Sequence, residues 1–184
     1  MAYTATQTAL PGVLVLEPKV FADARGFFYE SFNAADFQSA TGVAADFVQD
    51  NHSRSAKSVL RGLHYQIQKA QGKLVRVTAG SVQDIVVDMR KSSPHFGKHA
   101  SVILSAENRL QLWVPPGFAH GFLVLSDGTE FLYKTTDYWH PEHERTVLWN
   151  DADLMIDWQL EGVAPVLAAK DQAGTRFADA EIYP

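Results

Sequence analysis

Seven residues in one run carry more polar chemistry than a buried strand tolerates: Leu60-Arg61-Gly62-Leu63-His64-Tyr65-Gln66, followed by Lys73 at the head of Lys73-Leu74-Val75-Arg76-Val77. Alternation along an extended chain puts Leu60, Gly62, His64 and Gln66 on one face, with Arg61, Leu63 and Tyr65 on the other. Neither set is an apolar row. An arginine, a histidine and a glutamine are costly to bury without partners, and breaks of this kind in the local pattern concentrate at functional sites. Read alone, His64 fits a hydrogen-bonded core histidine equally well, and Lys73 a strand-end lysine with its head in water. Arg61 faces away from His64 in a regular strand, so the two share a site only if the chain kinks. Gly62 is placed to host such a β-bulge.

Two later runs repeat the pattern. His120, Phe122 and Val124 share a face in one, and Phe131, Tyr133 and Thr135 in the other, just as Lys73, Val75 and Val77 do upstream. Each is an apolar row with one titratable member, the composition of a small-molecule pocket. Tyr133 is also explained as a core tyrosine whose hydroxyl has found a partner, and His120, after Pro115-Pro116-Gly117, as a structural histidine. Two histidines on strands raise the possibility of a cupin-type metal centre, and Pro115-x-Gly117-x-x-His120 resembles the second cupin motif. The first motif wants His-x-His and then an acid. Here Gln66 takes the second histidine's place, and Lys73 stands near the acid's. A neutral amide and a cation are a poor ligand set for a divalent transition metal, so the expectation is a cupin-like shape with a metal-free site.

The elements that position these residues read as short strands. Apolar or alternating runs at residues 13–16, 27–32, 47–52, 60–66, 73–78, 82–89, 100–104, 110–114, 120–125, 130–138, 146–149 and 154–158 are separated by Gly, Pro and Asn/Asp turns. About ten strands at this spacing are the signature of a β-sandwich or barrel. One helical window stands out at 34–40, with Asn33 as N-cap and Gly42 beyond its end. No repeat, low-complexity tract or linker interrupts the chain, so residues 1–184 are expected to form a single all-β domain with one or two short helices.

Composition narrows the function classes. The 184 residues are 46% hydrophobic and 20% charged, ordinary for a soluble protein long enough to bury a core. A formal charge of −5 argues against nonspecific nucleic-acid or membrane-surface binding. With no cysteine, thiolate nucleophiles, disulfides and cysteine ligands are excluded, and a reducing cytoplasm suits the chain. The first residues lack the charged and apolar regions of a secretory signal, and no apolar run approaches the roughly 18 residues of a membrane helix.

Taken together, the runs resemble the dTDP-4-dehydrorhamnose 3,5-epimerases of nucleotide-sugar biosynthesis. The matching stretches are Asp23-x-Arg25-Gly26-Phe27-Phe28-x-Glu30, Gln49-Asp50-Asn51, the run 60–66, Ala70-Gln71-Gly72-Lys73-Leu74-Val75-Arg76, Gln111-Leu112-Trp113-x-Pro115-x-Gly117-Phe118-Ala119-His120-Gly121-Phe122, Glu130-Phe131-Leu132-Tyr133-Lys134, Leu148-Trp149-Asn150-Asp151 and Ala169-Lys170-Asp171. They fall in order over almost the whole chain. The resemblance implies a cupin-like jelly-roll barrel or sandwich acting as a homodimer on a dTDP-sugar and without a cofactor, and the lack of cysteines suits a cytoplasmic setting. It implies His64 as general base, Asp171 as the carboxylate orienting its ring, Tyr133 as proton donor on the opposite face, and Lys73 beside the enolate. Arg25, Glu30, Gln49, Asn51, Arg61, His120, Glu144 and Lys170 match positions that hold the nucleotide diphosphate and sugar, Arg25 and Glu30 through the partner subunit's site. Tyr138 matches a ring that stacks on thymine, although Trp139 stands where a second tyrosine is expected and either ring could serve.

A ketone at carbon 4 acidifies the protons on carbons 3 and 5, so inversion means removing a proton from one face, holding an enolate, and returning a proton to the other. Positioned acid–base catalysis is worth about 10²–10⁴-fold, short of the 10⁶ or more that enzymes commonly reach; hence the need for an enolate-stabilising cation. The alternatives are an epimerase acting at carbon 3 or carbon 5 alone, a 3,4-ketoisomerase (which Gln66 disfavours), a metal-dependent cupin enzyme, and a noncatalytic sugar-binding β-sandwich.

Overall fold

The structure, a computed structural model, describes residues 3–184. Its strands are β1 (Tyr3–Gln7), β2 (Leu14–Pro18), β3 (Phe21–Asp23), β4 (Gly26–Phe28), β5 (Gln49–Ser55), β6 (Leu60–Gln66), β7 (Lys73–Ala79), β8 (Ser81–Asp88), β9 (His99–Ser105), β10 (Gln111–Val114), β11 (Phe118–Val124), β12 (Thr129–Thr135) and β13 (Glu144–Thr146), with helices α1 (Ala34–Thr41) and α2 (Ala169–Gln172). A six-stranded sheet runs β1-β2-β10-β7-β12-β5, a five-stranded sheet β13-β6-β11-β8-β9, and β3-β4 form a separate hairpin. All pairings within these sheets are antiparallel. Neither sheet closes on itself, so the barrel-or-sandwich expectation resolves to an open sandwich of the cupin-like jelly-roll kind.

The alternation read from the sequence explains how the sheets meet. Val75, Val77 and Phe131 of one sheet and Val82, Val86, Phe122 and Val124 of the other form one buried cluster between them. The opposite faces are covered too. Leu60, Leu63, Ile85 and Leu123 pack against Leu154 and Trp158 of the C-terminal segment, and Leu74 and Trp113 pack against Phe37 of α1. Strands buried on both faces read as near-continuous apolar runs, as β11 does with His120 its one polar side chain. Phe37 and Phe47 meet the Trp113 ring edge-on, at 5.4 and 6.0 Å between centroids.

The helix forms where its caps place it. Asn33 Oδ1 accepts from the Asp36 amide at 3.1 Å, and Gly42 takes the left-handed conformation at φ 73° that a C-terminal glycine permits. Two expectations are corrected. Residues 154–158 form turns and loop rather than a strand, because Leu154 and Trp158 are buried by docking onto the five-stranded sheet instead of by pairing. The extended run at 27–32 stops at Phe28. Tyr3–Gln7, which the sequence reading assigns to no element, pairs as the edge next to β2.

The kink sought at Gly62 is present. Opposite β11, His64 pairs with His120 but Arg61 pairs with Phe122, so β6 carries one residue more than its partner between those points. Gly62 sits at φ 136°, and a Cβ there would lie 2.5 Å from the Gly121 Cα. A Cβ on Gly121 would in turn lie 2.7 Å from the Arg61 carbonyl oxygen. Two facing glycines therefore permit the close approach that brings Arg61 and His64 to one side.

Candidate active site

A cavity of about 430 Å³ lies between the sheets at one end of the sandwich. Its walls come from β5, β7 and β12 on one side and β6, β11 and β13 on the other, with α2 along the rim. His64, Lys73, Tyr133 and Asp171 all line it, as do Arg61, Gln49, Asn51, His120, Glu144 and Lys170.

Asp171 reaches the cavity because the C-terminal segment docks beside β6. The Leu60 amide donates to the Val166 carbonyl at 3.0 Å, and the Leu148 amide to the Thr175 carbonyl at 2.9 Å. The turn of α2 held between these ties presents the Asp171 carboxylate to His64, Nε2 to Oδ1 at 2.6 Å, and the Gly62 amide donates to the same oxygen at 3.4 Å. Burial alone would push the Asp171 carboxyl up. The His64 hydrogen bond and charge, the Gly62 amide and the Lys170 charge outweigh it and hold the group below the usual carboxylate range. A ring that donates Nε2–H to an ionised carboxylate carries, when neutral, its lone pair on Nδ1, the arrangement of an oriented general base.

Tyr133 stands on the opposite sheet, between Asn51 and Val75. Its hydroxyl makes no hydrogen bond within the described residues, unlike that of a satisfied core tyrosine. Burial, then the negative charge of Glu144, raise the phenol's pKa against the opposing pull of Arg61, so it stays protonated.

Lys73 is not a strand-end lysine with its head in water: it is 8% exposed. Its ammonium makes no hydrogen bond or ion pair within the described residues. Burial lowers its pKa to about 8, against the pull of Glu144 and Asp84 that favours the charged form. A cation with no protein partner, facing a cavity, is available to an anionic ligand.

The remaining side chains surround these. Arg61 hydrogen-bonds through Nη2 to Ser55 Oγ at 3.1 Å. Lys170 pairs with Glu144 at 3.1 Å, and Gln49 donates to Asn51 Oδ1 at 3.0 Å. Tyr138 does not line the cavity, and its ring is 59% exposed. Trp139 does line it, because its amide donates to Gln49 Oε1 at 3.1 Å and draws that residue over the rim. Arg25 and Glu30 also lie outside this cavity. Arg25 is an exposed residue paired with Asp23 on the β3-β4 turn, and Glu30 accepts from Asn33 at 3.3 Å.

Gln66 has a structural task in place of a ligand's. Its amide nitrogen donates to the carbonyls of Lys69 and Tyr138 at 2.8 and 3.2 Å, and its oxygen accepts from the His140 amide at 2.8 Å. It ties down the segment that carries Trp139. Among the described residues, no group of three or more His, Cys, Asp and Glu side chains converges as a metal ion would require.

Asp84 was missed in the sequence. It is fully buried on β8, and both its oxygens lie within reach of His120 Nε2, at 2.9 and 3.0 Å. The signal was there to find: Val82, Asp84 and Val86 alternate onto one face, and an acid in that row is out of place. Burial pushes its carboxyl up despite the opposing charges of His120 and Lys73.

A carbon acid held between the walls would face an oriented base on one side, a protonated phenol on the other and an unpaired ammonium nearby. This is the equipment for stereoinversion next to a carbonyl.

Comparison with known proteins agrees with that chemistry. Residues 7–179 match the family model described as dTDP-4-dehydrorhamnose 3,5-epimerase. The chain is 59% identical over 180 residues to the dTDP-4-dehydrorhamnose 3,5-epimerase of Pseudomonas aeruginosa, covering 98% of this chain and 99% of that one. It is 55% identical to the enzyme of the same name from Shigella flexneri, covering 96% and 97%. Among solved structures it is similar to dTDP-6-deoxy-D-glucose-3,5-epimerase RmlC from Legionella pneumophila in complex with dTDP-4-keto-L-rhamnose. The TM-score there is 0.94 and the identity 50%, over 97% of this chain and 95% of that chain. With a match that spans nearly its full length in both sequence and fold, the chain belongs to the dTDP-4-dehydrorhamnose 3,5-epimerase family.

Proposed function

We propose that the protein is a dTDP-4-dehydrorhamnose 3,5-epimerase that inverts carbons 3 and 5 of dTDP-4-dehydro-6-deoxy-D-glucose to give dTDP-4-dehydro-L-rhamnose. The observation that carries this reading is the placement of His64 and Tyr133 on opposite sheets of one cavity. His64, backed by Asp171, takes the proton from the carbon next to the ketone. Lys73 stabilises the enolate oxygen, and Tyr133 returns a proton to the other face. Repeating the cycle at the second carbon completes the double inversion, and no metal or redox group is required for either step.

Arg61, His120, Gln49, Asn51, Glu144 and Lys170 hold the diphosphate and sugar, the arginine fork matching diphosphate oxygens in pairs. Trp139, at the rim, stacks on the thymine in place of Tyr138. We infer a homodimer in which Arg25 and Glu30 serve the partner's site. The β3-β4 hairpin exposes Phe21, Phe27 and Phe28, a surface that a second copy would cover. The chain acts as a single domain, and a cytoplasmic setting suits a protein without cysteines.

The test is turnover of dTDP-4-dehydro-6-deoxy-D-glucose in heavy water, read by NMR. Deuterium at both carbons, with the L-rhamno product, is expected. Label at one carbon identifies an epimerase of that centre alone, and label at neither overturns the reading.

A further inference from the structure

The mechanism above gives no task to Asp84, a fully buried titratable group. Asp84 lies on the interior face of β8 between Val82 and Val86, both fully buried members of the core. The only hydrogen-bond partner the described structure gives its carboxyl is His120 Nε2. A strand that needed only to fold would be better served there by an aliphatic residue, since replacing a buried charged pair by apolar groups of similar shape costs little or even stabilises. The His120 ring lies beside Phe131, with centroids 6.2 Å apart and planes 27° apart, so a phenyl ring could occupy the same space. Neither member of the pair is demanded by packing.

We propose that Asp84 is a positioning residue for the epimerisation, holding His120 so that its Nδ1 carries a hydrogen aimed at the substrate oxygen that becomes the enolate. The inference rests on the epimerase reading. Whether the proton between them sits on the carboxyl or on Nε2, a pair holding two protons is neutral overall and leaves an N–H at Nδ1. The pair with one proton fewer would bury a negative charge, and Lys73 forms no ion pair with Asp84 to offset it at contact distance. His120 and Lys73, which line the same cavity from β11 and β7, then offer two donors to one developing oxyanion. No bond breaks at this pair: the carbon's proton goes to His64, and the hydrogen bond to the oxygen strengthens as negative charge arrives there. A contact that strengthens in the transition state appears in kcat rather than in KM.

The experiment is a double-mutant cycle of Asp84→Leu and His120→Phe, with kcat, KM and dTDP affinity measured on each variant alongside the wild type. Asp84→Leu is expected to lower kcat about ten- to a hundredfold, the usual cost of losing an orienting partner. KM and dTDP affinity should stay within about threefold, and the double variant should be no slower than His120→Phe alone. The double variant leaves no polar group unpaired, so it folds even where Asp84→Leu is impaired. Independent, multiplying losses overturn the proposal, as does an unchanged kcat in Asp84→Leu, or dTDP affinity lost in step with kcat. Wild-type turnover in the same assay separates failure of this inference from failure of the epimerase reading.

Discussion

His64 and His120 are cross-strand partners on β6 and β11, yet their Nε2 atoms are taken by different carboxylates, Asp171 from the C-terminal segment and Asp84 from the adjacent strand. The two carboxyls differ in environment. Asp171 is held below the usual range by its hydrogen bonds, whereas Asp84 is pushed up by full burial. On the mechanism proposed above, this difference sets neighbouring imidazoles apart, His64 as the base and His120 as a donor, the kind of division by environment that assigns acid and base roles.

Asp171→Asn should leave the ring in place but no longer favour the Nδ1 lone pair or stabilise the imidazolium. The expected result is a loss of about 10²–10⁴-fold in kcat with dTDP affinity little changed, measured by steady-state kinetics and calorimetry. The same variant reports on acid stability. A carboxyl whose pKa is lowered on folding contributes stability above its unfolded value of 3.8, and that contribution disappears as pH falls through the folded value. The stability gap between wild type and variant should be open near neutral pH and close in that acid window.

Tyr133→Phe removes the acid of the far wall without touching the base. Deuterium should still enter the carbon next to the ketone, because His64 can remove and return a proton on one face. Inversion should fall by at least about 10²-fold. Comparing isotope exchange with product stereochemistry on one sample checks this, and equal losses of both would place the phenol's role elsewhere.

Lys73, with its pKa lowered to about 8 by burial, gives a pH signature in which activity and stability move in opposite directions. Its ammonium is present below that pH and lost above it, so kcat should decline as pH rises through about 8. In the unfolded chain the lysine keeps its proton up to 10.5, so between these values the unfolded state binds more protons and this group's contribution to stability rises with pH. Lys73→Arg, which stays charged, should flatten the alkaline limb of the kcat profile.

Gly62→Ala should separate Arg61 and His64, which lie on either side of it in β6. A Cβ there would meet the Gly121 backbone at 2.5 Å in a conformation disfavoured for side chains. The expected cost is about 1–3 kcal/mol in urea denaturation. A raised KM should accompany it as Arg61 and His64 move out of register.

Much of this site could be read in the chain because strand alternation is a local property. Lys73, His120 and Tyr133 were each placed on an apolar face, and each lines the cavity. The kink at Gly62 was legible because Arg61 and His64 could not otherwise face one site. Long-range placement was not legible. Asp171 lies 107 residues from His64, and only the docking of residues 166–175 beside β6 and β13 brings it there, so resemblance rather than spacing pointed to it. That Trp139 rather than Tyr138 lines the cavity goes with an amide bond to Gln49, which no periodicity encodes. Asp84 stands out locally as an acid in the row Val82, Asp84, Val86, but its partner His120 lies 36 residues away, so alternation alone gives it no task.

The central claim is that one base serves both stereocentres, and His64→Ala tests it most directly. Incubated in heavy water with dTDP-4-dehydro-6-deoxy-D-glucose at protein concentrations that saturate exchange in the wild type, the variant is expected to incorporate no deuterium at carbon 3 or carbon 5 while still binding dTDP. Exchange retained at either carbon would contradict the account and move the base to another side chain.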